Sequence, residues 1–189
     1  MSRNNTRSPL GELVLADLEN LAGGPDASEE RFRQVWTAVR LHAVHMDSDT
    51  RTVVATSSHA AKRAWFALGD SPVQRLVRDG VDGADKALLE VASPDEIARR
   101  YRRVTICSGD HAFAPLARDL RSRGVQVSLL IGRGDPAREL IEACPFRIWL
   151  RLDNASGLAR FRQSTTRSIS HLPVRTSARR AQLPVLAAS

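Results

Sequence analysis

Apolar and polar residues alternate in blocks through the first 150 positions of the chain. Short runs rich in Val, Leu and Ile have the length of buried strands. They are separated by longer segments in which apolar residues recur every three or four positions. The apolar runs predict six strands, at 12–17, 52–56, 73–77, 103–107, 125–131 and 146–150.

The segments between these strands predict helices. After Ser28, apolar side chains recur at helical spacing, at Phe32, Val35, Trp36 and Val39. Further helices are predicted at 59–68, 84–89, 94–101, 113–123 and 136–143. Strands that alternate with helices are typical of a parallel sheet covered on both faces. We therefore expect a Rossmann-like three-layer α/β fold with a mostly parallel central sheet.

Positive charge is concentrated after the last predicted strand. The formal net charge is +7, and the segment from Arg151 onward holds seven arginines against one acid, Asp153. The first 150 residues are therefore close to neutral. The basic segment also lacks a sustained apolar period, which is typical of disorder. We predict an N-terminal extension at 1–10, one folded domain at 11–152 and a basic, disordered tail at 153–189.

The cysteines and the apolar runs bear on the cellular location. Cys107 and Cys144 stand far apart without CxxC spacing, which argues against a zinc knuckle or a disulfide scaffold. The first apolar run, Leu13 to Ala16, is too short for the core of a signal peptide. No run approaches the length of a membrane span. We expect a cytoplasmic protein without a membrane partner.

Three aspartates stand at the edge of the predicted sheet where ligands bind. Asp17 ends the first strand, Asp110 follows the fourth, and Asp85 lies in the first turn of the helix after the third. Open α/β sheets bind ligands outside the carboxyl ends of their strands. A sheet with the first strand in its centre places the first and fourth strand ends side by side. The three carboxylates are therefore expected to converge.

Converging carboxylates repel one another and need a cation to neutralise them. Their oxygen atoms favour Mg²⁺ or Mn²⁺, hard ions that keep several waters and need few direct carboxylates. Such an ion polarises a bound water toward hydroxide and stabilises charge on a scissile phosphate. We predict that Asp17, Asp85 and Asp110 are both the metal ligands and the catalytic residues.

Three segments resemble the motif blocks of NYN domains, a branch of the PIN-like metal-dependent ribonucleases. They are VLADLENL at 14–21, DGADKALLE at 82–90 and VTICSGDHAFAPLARDLRSRGVQVSLL at 104–130. The blocks occur in the order typical of the family. By this resemblance, Asp17 and Asn20 match its D-x-x-N start, Asp85 matches the acid at the head of a helix, and Asp110 matches the acid of an SGD block.

The resemblance implies a hydrolase that cleaves RNA with a divalent metal. We expect single-stranded RNA as the preferred partner and leave a homo-oligomer open. Asn20, Ser108 and His111 are assigned to substrate binding because they belong to or adjoin these motifs. A loop residue without a role is the equal alternative for His111. A phosphatase of the haloacid dehalogenase type is excluded, since its D-x-D pair is replaced here by Asp17-Leu-Glu19.

One departure from the family bears on activity. The family often reads SGD-x-D-F, whereas this chain has Ala112 where the last acid stands, so a fourth acid is missing. Glu90 follows Asp85 by five positions, about 140° around a helix, and is expected to face away. Asp82 is expected to cap the helix that carries Asp85. The alternative function is therefore an attenuated module that binds nucleic acid or regulates without turnover.

Two further polar segments have local interpretations. Glu19 is expected to be an exposed or loop-binding carboxylate. Residues 56–59 either line a substrate groove or provide Ser58 as the cap of the next helix.

Overall fold

The computed structural model describes residues 11–43, 50–152 and 159–163. Within them one sheet has the strand order β3-β2-β1-β4-β5-β6-β7, with β1 to β6 parallel and β7 antiparallel to β6. All six predicted strands are confirmed. The strands are β1 (Gly11–Asp17), β2 (Thr50–Thr56), β3 (Gln74–Val77), β4 (Tyr101–Cys107), β5 (Gln126–Ile131), β6 (Phe146–Leu152) and β7 (Ala159–Gln163).

Helices connect the parallel strands. They are α1 (Leu18–Ala22), α2 (Glu29–Ala43), α3 (Ser58–Leu68), α4 (Gly83–Val91), α5 (Pro94–Arg100), α6 (Ala114–Ser122) and α7 (Arg138–Ala143), with a short 3₁₀ helix at His111–Phe113. In the described part of the chain, no helix combines the length and apolar character needed to cross a membrane.

Alternate side chains of the central strand β1 enter two different cores. Leu13 and Leu15 pack with apolar residues of α4 to α7, while Val14 and Ala16 pack with apolar residues of α1, α2 and α3. A strand buried on both faces is typical of a parallel sheet between two helical layers. The predicted three-layer α/β fold is therefore confirmed.

Three details differ from the sequence-based prediction. The helix predicted at 94–101 ends at Arg100, because Tyr101 has an extended backbone and pairs with Gly11 as part of β4. The five-residue helix α1 was not predicted, since it is too short to show a period. The sheet also extends past the predicted boundary at 152, because β7 pairs with β6. The predicted extension at 1–10 and the rest of the tail lie outside the described residues.

Two glycines permit close approaches beside the carboxyl edge of the sheet. A Cβ on Gly83, the first residue of α4, would lie 2.3 Å from the carbonyl oxygen of Arg78. A Cβ on Gly132, just after β5, would lie 2.4 Å from the Cα of Leu21 in α1. Neither position has room for a side chain. The loop before α4 and the loop after β5 are therefore held tightly against their neighbours.

Candidate metal centre

The central strands β1 and β4 end side by side. Asp17 is in register with Ala55 of β2, and Ala16 is in register with Cys107 of β4. The chain continues from β1 to β2 on one side, while β4 and β5 lie on the other side. This is the switch point at which open α/β sheets form ligand crevices. The expected proximity of the first and fourth strand ends is confirmed.

Asp17 is buried at the end of β1, where it caps helix α1. Its Oδ1 accepts a hydrogen bond from the backbone N–H of Asn20 at 3.0 Å. Its carboxyl group also interacts electrostatically with the carboxyl group of Asp85. Burial raises the pKa of Asp17 to about 6, although the hydrogen bond from Asn20 opposes this shift. Asp17 therefore acts on Asp85 from the buried side, but the expected group of three differs in one member, because the carboxylate oxygens that lie within 4.8 Å of one another belong to Asp82, Asp85 and Asp110.

Asp85 is the buried centre of the cluster. It lies in the first turn of α4 and is only 5% exposed. Burial, followed by the charges of Asp17 and Asp110, raises its pKa to about 8. Its buried Oδ1 has no hydrogen-bond partner among the described residues, and an unpaired buried acceptor is costly. A proton or a cation is therefore needed to stabilise this carboxyl group.

Asp110 is oriented by the loop that follows β4. Its Oδ1 accepts the N–H of Ala112 at 2.7 Å and lies 3.2 Å from Nδ1 of His111. The buried hydroxyl oxygen of Ser108 accepts the N–H of Asp110 at 3.1 Å. These bonds hold the carboxylate at the start of the 3₁₀ helix. Ser108 positions Asp110 in this arrangement, and its predicted contact with substrate remains a prediction.

Asp82 joins the cluster, although the sequence analysis assigned it only to capping. It occupies the position before α4, but its side chain makes no capping hydrogen bond, so that prediction was wrong. Its backbone has a φ of 54°, the left-handed conformation. Carboxylate oxygens of Asp82, Asp85 and Asp110 all lie within 4.8 Å of one another. The signal that was missed is the spacing of Asp82 three positions before Asp85.

The predicted substrate residues Asn20 and His111 line a cleft beside Asp110. This cleft has a volume of about 270 Å³, and its lining also includes Arg133 from the loop after β5. The side-chain Oδ1 of Asn20 accepts the N–H of Gly109 at 2.8 Å. Asn20 therefore ties α1 to the loop after β4 and contributes to the cleft wall. Ser108, in contrast, is fully buried.

The neighbouring polar segment is engaged in structural contacts. Glu19 accepts hydrogen bonds from the hydroxyl of Thr56 and the backbone N–H of Ser57, as expected of a loop-binding carboxylate. Ser57 caps α3, so the prediction that Ser58 is the cap was wrong. The N–H of Ser58 instead donates to Asp79 at 2.8 Å. These contacts connect the end of β1 to the end of β2.

Glu90 does not belong to the cluster. It is exposed at the far end of α4 and forms an ion pair with Arg78. The prediction that this acid faces away from Asp85 is confirmed.

The donor set fits a hard divalent cation. Asp82, Asp85 and Asp110 offer oxygen ligands that differ in access to solvent, since Asp82 is exposed, Asp110 partly exposed and Asp85 buried. Mg²⁺ and Mn²⁺ prefer such oxygens and retain waters at their remaining positions. The unpaired oxygen of Asp85 is the acceptor that a cation would satisfy.

Comparisons with known proteins place the chain in a family. No match was found among curated proteins. The family model described as NYN domain matches residues 13–150. The matched region is most of the chain and includes Asp17, Asp85 and Asp110 at the switch point of the sheet. On this match, which agrees with the α/β fold and with the acidic cluster, the chain belongs to the NYN domain family.

Proposed function

We propose that this protein is a metal-dependent ribonuclease that hydrolyses phosphodiester bonds of RNA. The observation that carries the proposal is the buried, unpaired oxygen of Asp85 in an acidic cluster at the sheet's switch point. Members of this family are nucleases of a type that generally uses divalent metals. We assign Mg²⁺ or Mn²⁺ to the cluster because its ligands are oxygen atoms.

The side chains of the cluster have separate tasks in the proposed reaction. Asp85 and Asp110 hold the ion, and Asp17, whose charge acts on Asp85, supports them from the buried side. When bound, the ion supplies Lewis acidity and a polarised water. Asp85 and Asp110 are thus the proposed metal ligands, and Asp17 joins them in the proposed catalytic set as their buried support.

The adjoining cleft is the proposed binding site for the RNA backbone. Asn20 uses its Oδ1 for Gly109, so its amide nitrogen is the group left to donate to a phosphate oxygen. His111 is largely exposed and brings a second donor to the rim beside Asp110. The exposed guanidinium of Arg133 adds a positive charge to the same cleft. These three side chains would orient one phosphate next to the ion.

Single-stranded RNA is the proposed substrate form, and a cytoplasmic location is proposed with it. Cys107 and Cys144 are both free and buried, which is compatible with a reducing compartment. The arginines after residue 163 would add attraction for the phosphate backbone that does not depend on sequence. Homo-oligomerisation stays open.

A cleavage assay with matched variants tests the proposal. End-labelled single-stranded RNA is incubated with the full chain in Mg²⁺, in Mn²⁺ and in EDTA, and we expect cleavage only with metal. Asp110→Asn should abolish it because the variant removes a ligand charge and little volume. Asp119→Asn is the control, since Asp119 pairs with Arg123 on the surface of α6, away from the cluster.

The same assay separates the nuclease from its alternative. Position 112 is Ala instead of an acid, and this favours the alternative function, a module that binds nucleic acid without cleaving it. Binding of the RNA without cleavage in either metal would contradict the ribonuclease proposal and support the binding module. Cleavage that persists in EDTA or in Asp110→Asn would contradict the proposed metal centre.

A further inference from the structure

Asp82 stands in an unusual backbone position for a residue with a side chain. Its φ of 54° lies in the left-handed region, and its carboxylate does not cap the helix that it precedes. The following residue, Gly83, packs closely against the carbonyl oxygen of Arg78. This packing holds the loop beside the carboxyl ends of the strands. The carboxylate of Asp82 therefore has no local structural task among the described contacts, and it lies beside Asp85 and Asp110 instead.

We propose that Asp82 supplies the fourth carboxylate of the metal centre. It would replace the acid that the family often has at the position of Ala112. This inference rests on the proposed metal-dependent function and assigns an additional ligand to its site. Two independent observations carry it. The Asp82 oxygen lies within 4.8 Å of oxygens from Asp85 and Asp110, and the buried Oδ1 of Asp85 has no hydrogen-bond partner in the part of the chain that the structure describes.

The distances suit a divalent ion after a small closure of the cluster. Oxygens on an octahedral ion with bonds of about 2.1 Å are about 3.0 Å apart when adjacent and about 4.2 Å apart when opposite. The spacing of up to 4.8 Å between the three aspartates is slightly larger. Because Asp82 is the exposed member, its side chain can rotate toward the ion without displacing buried atoms.

With Asp82 assigned to the centre, the missing acid at position 112 no longer lowers the number of carboxylates around the ion. Ala112 belongs to the 3₁₀ helix after β4 and donates its N–H to Asp110. Asp82 approaches the same carboxylate from the opposite loop, before α4. The centre then has four carboxylates, with Asp17 and Asp85 buried and Asp82 and Asp110 open to solvent. A chain without the usual fourth acid thereby retains the same number of negative charges around the ion.

Mn²⁺ binding to the full chain tests the role of Asp82 directly. Isothermal titration, or electron paramagnetic resonance of free Mn²⁺, is applied to the wild type, Asp82→Asn and Asp79→Asn. Loss of one carboxylate from the shell of the ion should weaken Mn²⁺ affinity about 10- to 100-fold. Asp79→Asn is the matched control because it removes a charge from the same loop while keeping an oxygen for the N–H of Ser58.

Two further variants exclude indirect effects. Asp82→Gly also removes the carboxylate and favours the left-handed backbone, so it should lose affinity as Asp82→Asn does while melting normally in EDTA. Ala112→Asp in the Asp82→Asn background should recover Mn²⁺ affinity, since it returns an acid two positions after Asp110. Recovery of affinity would not follow from a merely structural role of Asp82.

The outcomes separate this inference from the proposed function. Wild-type affinity in both Asp82 variants would overturn the assignment of Asp82, while metal-dependent RNA cleavage would still support the nuclease. Loss of Mn²⁺ affinity in the Asp82 variants, together with no cleavage by the wild type, would support the Asp82 site and contradict the nuclease. Absence of Mn²⁺ binding by the wild type would contradict both.

Discussion

Replacing Asp85 by Asn should stabilise the protein in the absence of metal. The folded state raises the pKa of Asp85 from 3.8 to about 8. Between these pH values the unfolded chain releases the Asp85 proton and the folded chain retains it. The free energy of unfolding of the wild type therefore falls as the pH rises through this window. Asn does not titrate, so the variant avoids this loss.

The size of the effect follows from the pKa shift. A shift of about four pKa units corresponds to an upper limit of about 6 kcal/mol, at 1.36 kcal/mol for each unit. The charges of Asp17 and Asp85 repel each other, so a proton on one carboxyl relieves the repulsion on the other. We therefore expect the variant to gain about 2–4 kcal/mol over the wild type near pH 8. The gain should shrink toward zero as the pH falls toward 4.

Urea denaturation in EDTA over this pH range measures the difference. Asp70→Asn is the control, because Asp70 is exposed just after the far end of α3, and its removal should leave the pH dependence unchanged. Mn²⁺ should then restore stability to the wild type and to the control but not to Asp85→Asn. If the free energies of unfolding of the wild type and of Asp85→Asn have the same pH dependence in EDTA, the surroundings of Asp85 do not hold it protonated, and the prediction is wrong.

Three other perturbations address the cleft, the loops and the tail. Asn20→Ala leaves the N–H of Gly109 without its acceptor, so it should lower the free energy of unfolding by about 1–3 kcal/mol and weaken RNA binding. Unchanged stability and binding would remove Asn20 from the site. Gly132→Ala places a Cβ against the backbone of Leu21 and should lower the free energy of unfolding, measured with urea, by about 1–3 kcal/mol. Wild-type stability of this variant would show that the loop moves aside without cost. Truncation after Gln163 removes four arginines. It should lower the slope of log RNA affinity against log salt by about 0.7 for each arginine that contacts a phosphate. An unaltered slope would assign the tail another role.

The sequence predicted those parts of the molecule that depend on local patterns. Apolar runs identified the central parallel strands β1, β2, β4 and β5 because strands buried on both faces are continuously apolar. Asp17 and Asp110 were found because each follows such a run, and the central position of β1 brings their strand ends together. Asp85 followed from its place at the head of α4.

The parts that were missed depend on the backbone path and on distant contacts. Asp82 reaches the cluster because its backbone adopts the left-handed conformation. From the sequence alone, an aspartate directly before a helix is interpreted as an ordinary N-cap, so its place in the cluster was missed. Ser57 rather than Ser58 caps α3, a difference of one residue that Glu19 helps to fix from another strand end. Strand β7 is specified by pairing with β6, and no period within its five residues indicates it.

Strand β7 also determines where the chain can be shortened. It pairs with residues 148–152 of β6 and covers the main-chain donors and acceptors along that side of the strand. A fragment that ended at 152 would expose this row of unpaired groups as a template for other strands, which favours edge-to-edge association and aggregation. At the opposite border, β3 has only four residues, so the row of unpaired groups there is shorter. A soluble minimal domain should therefore end after Gln163.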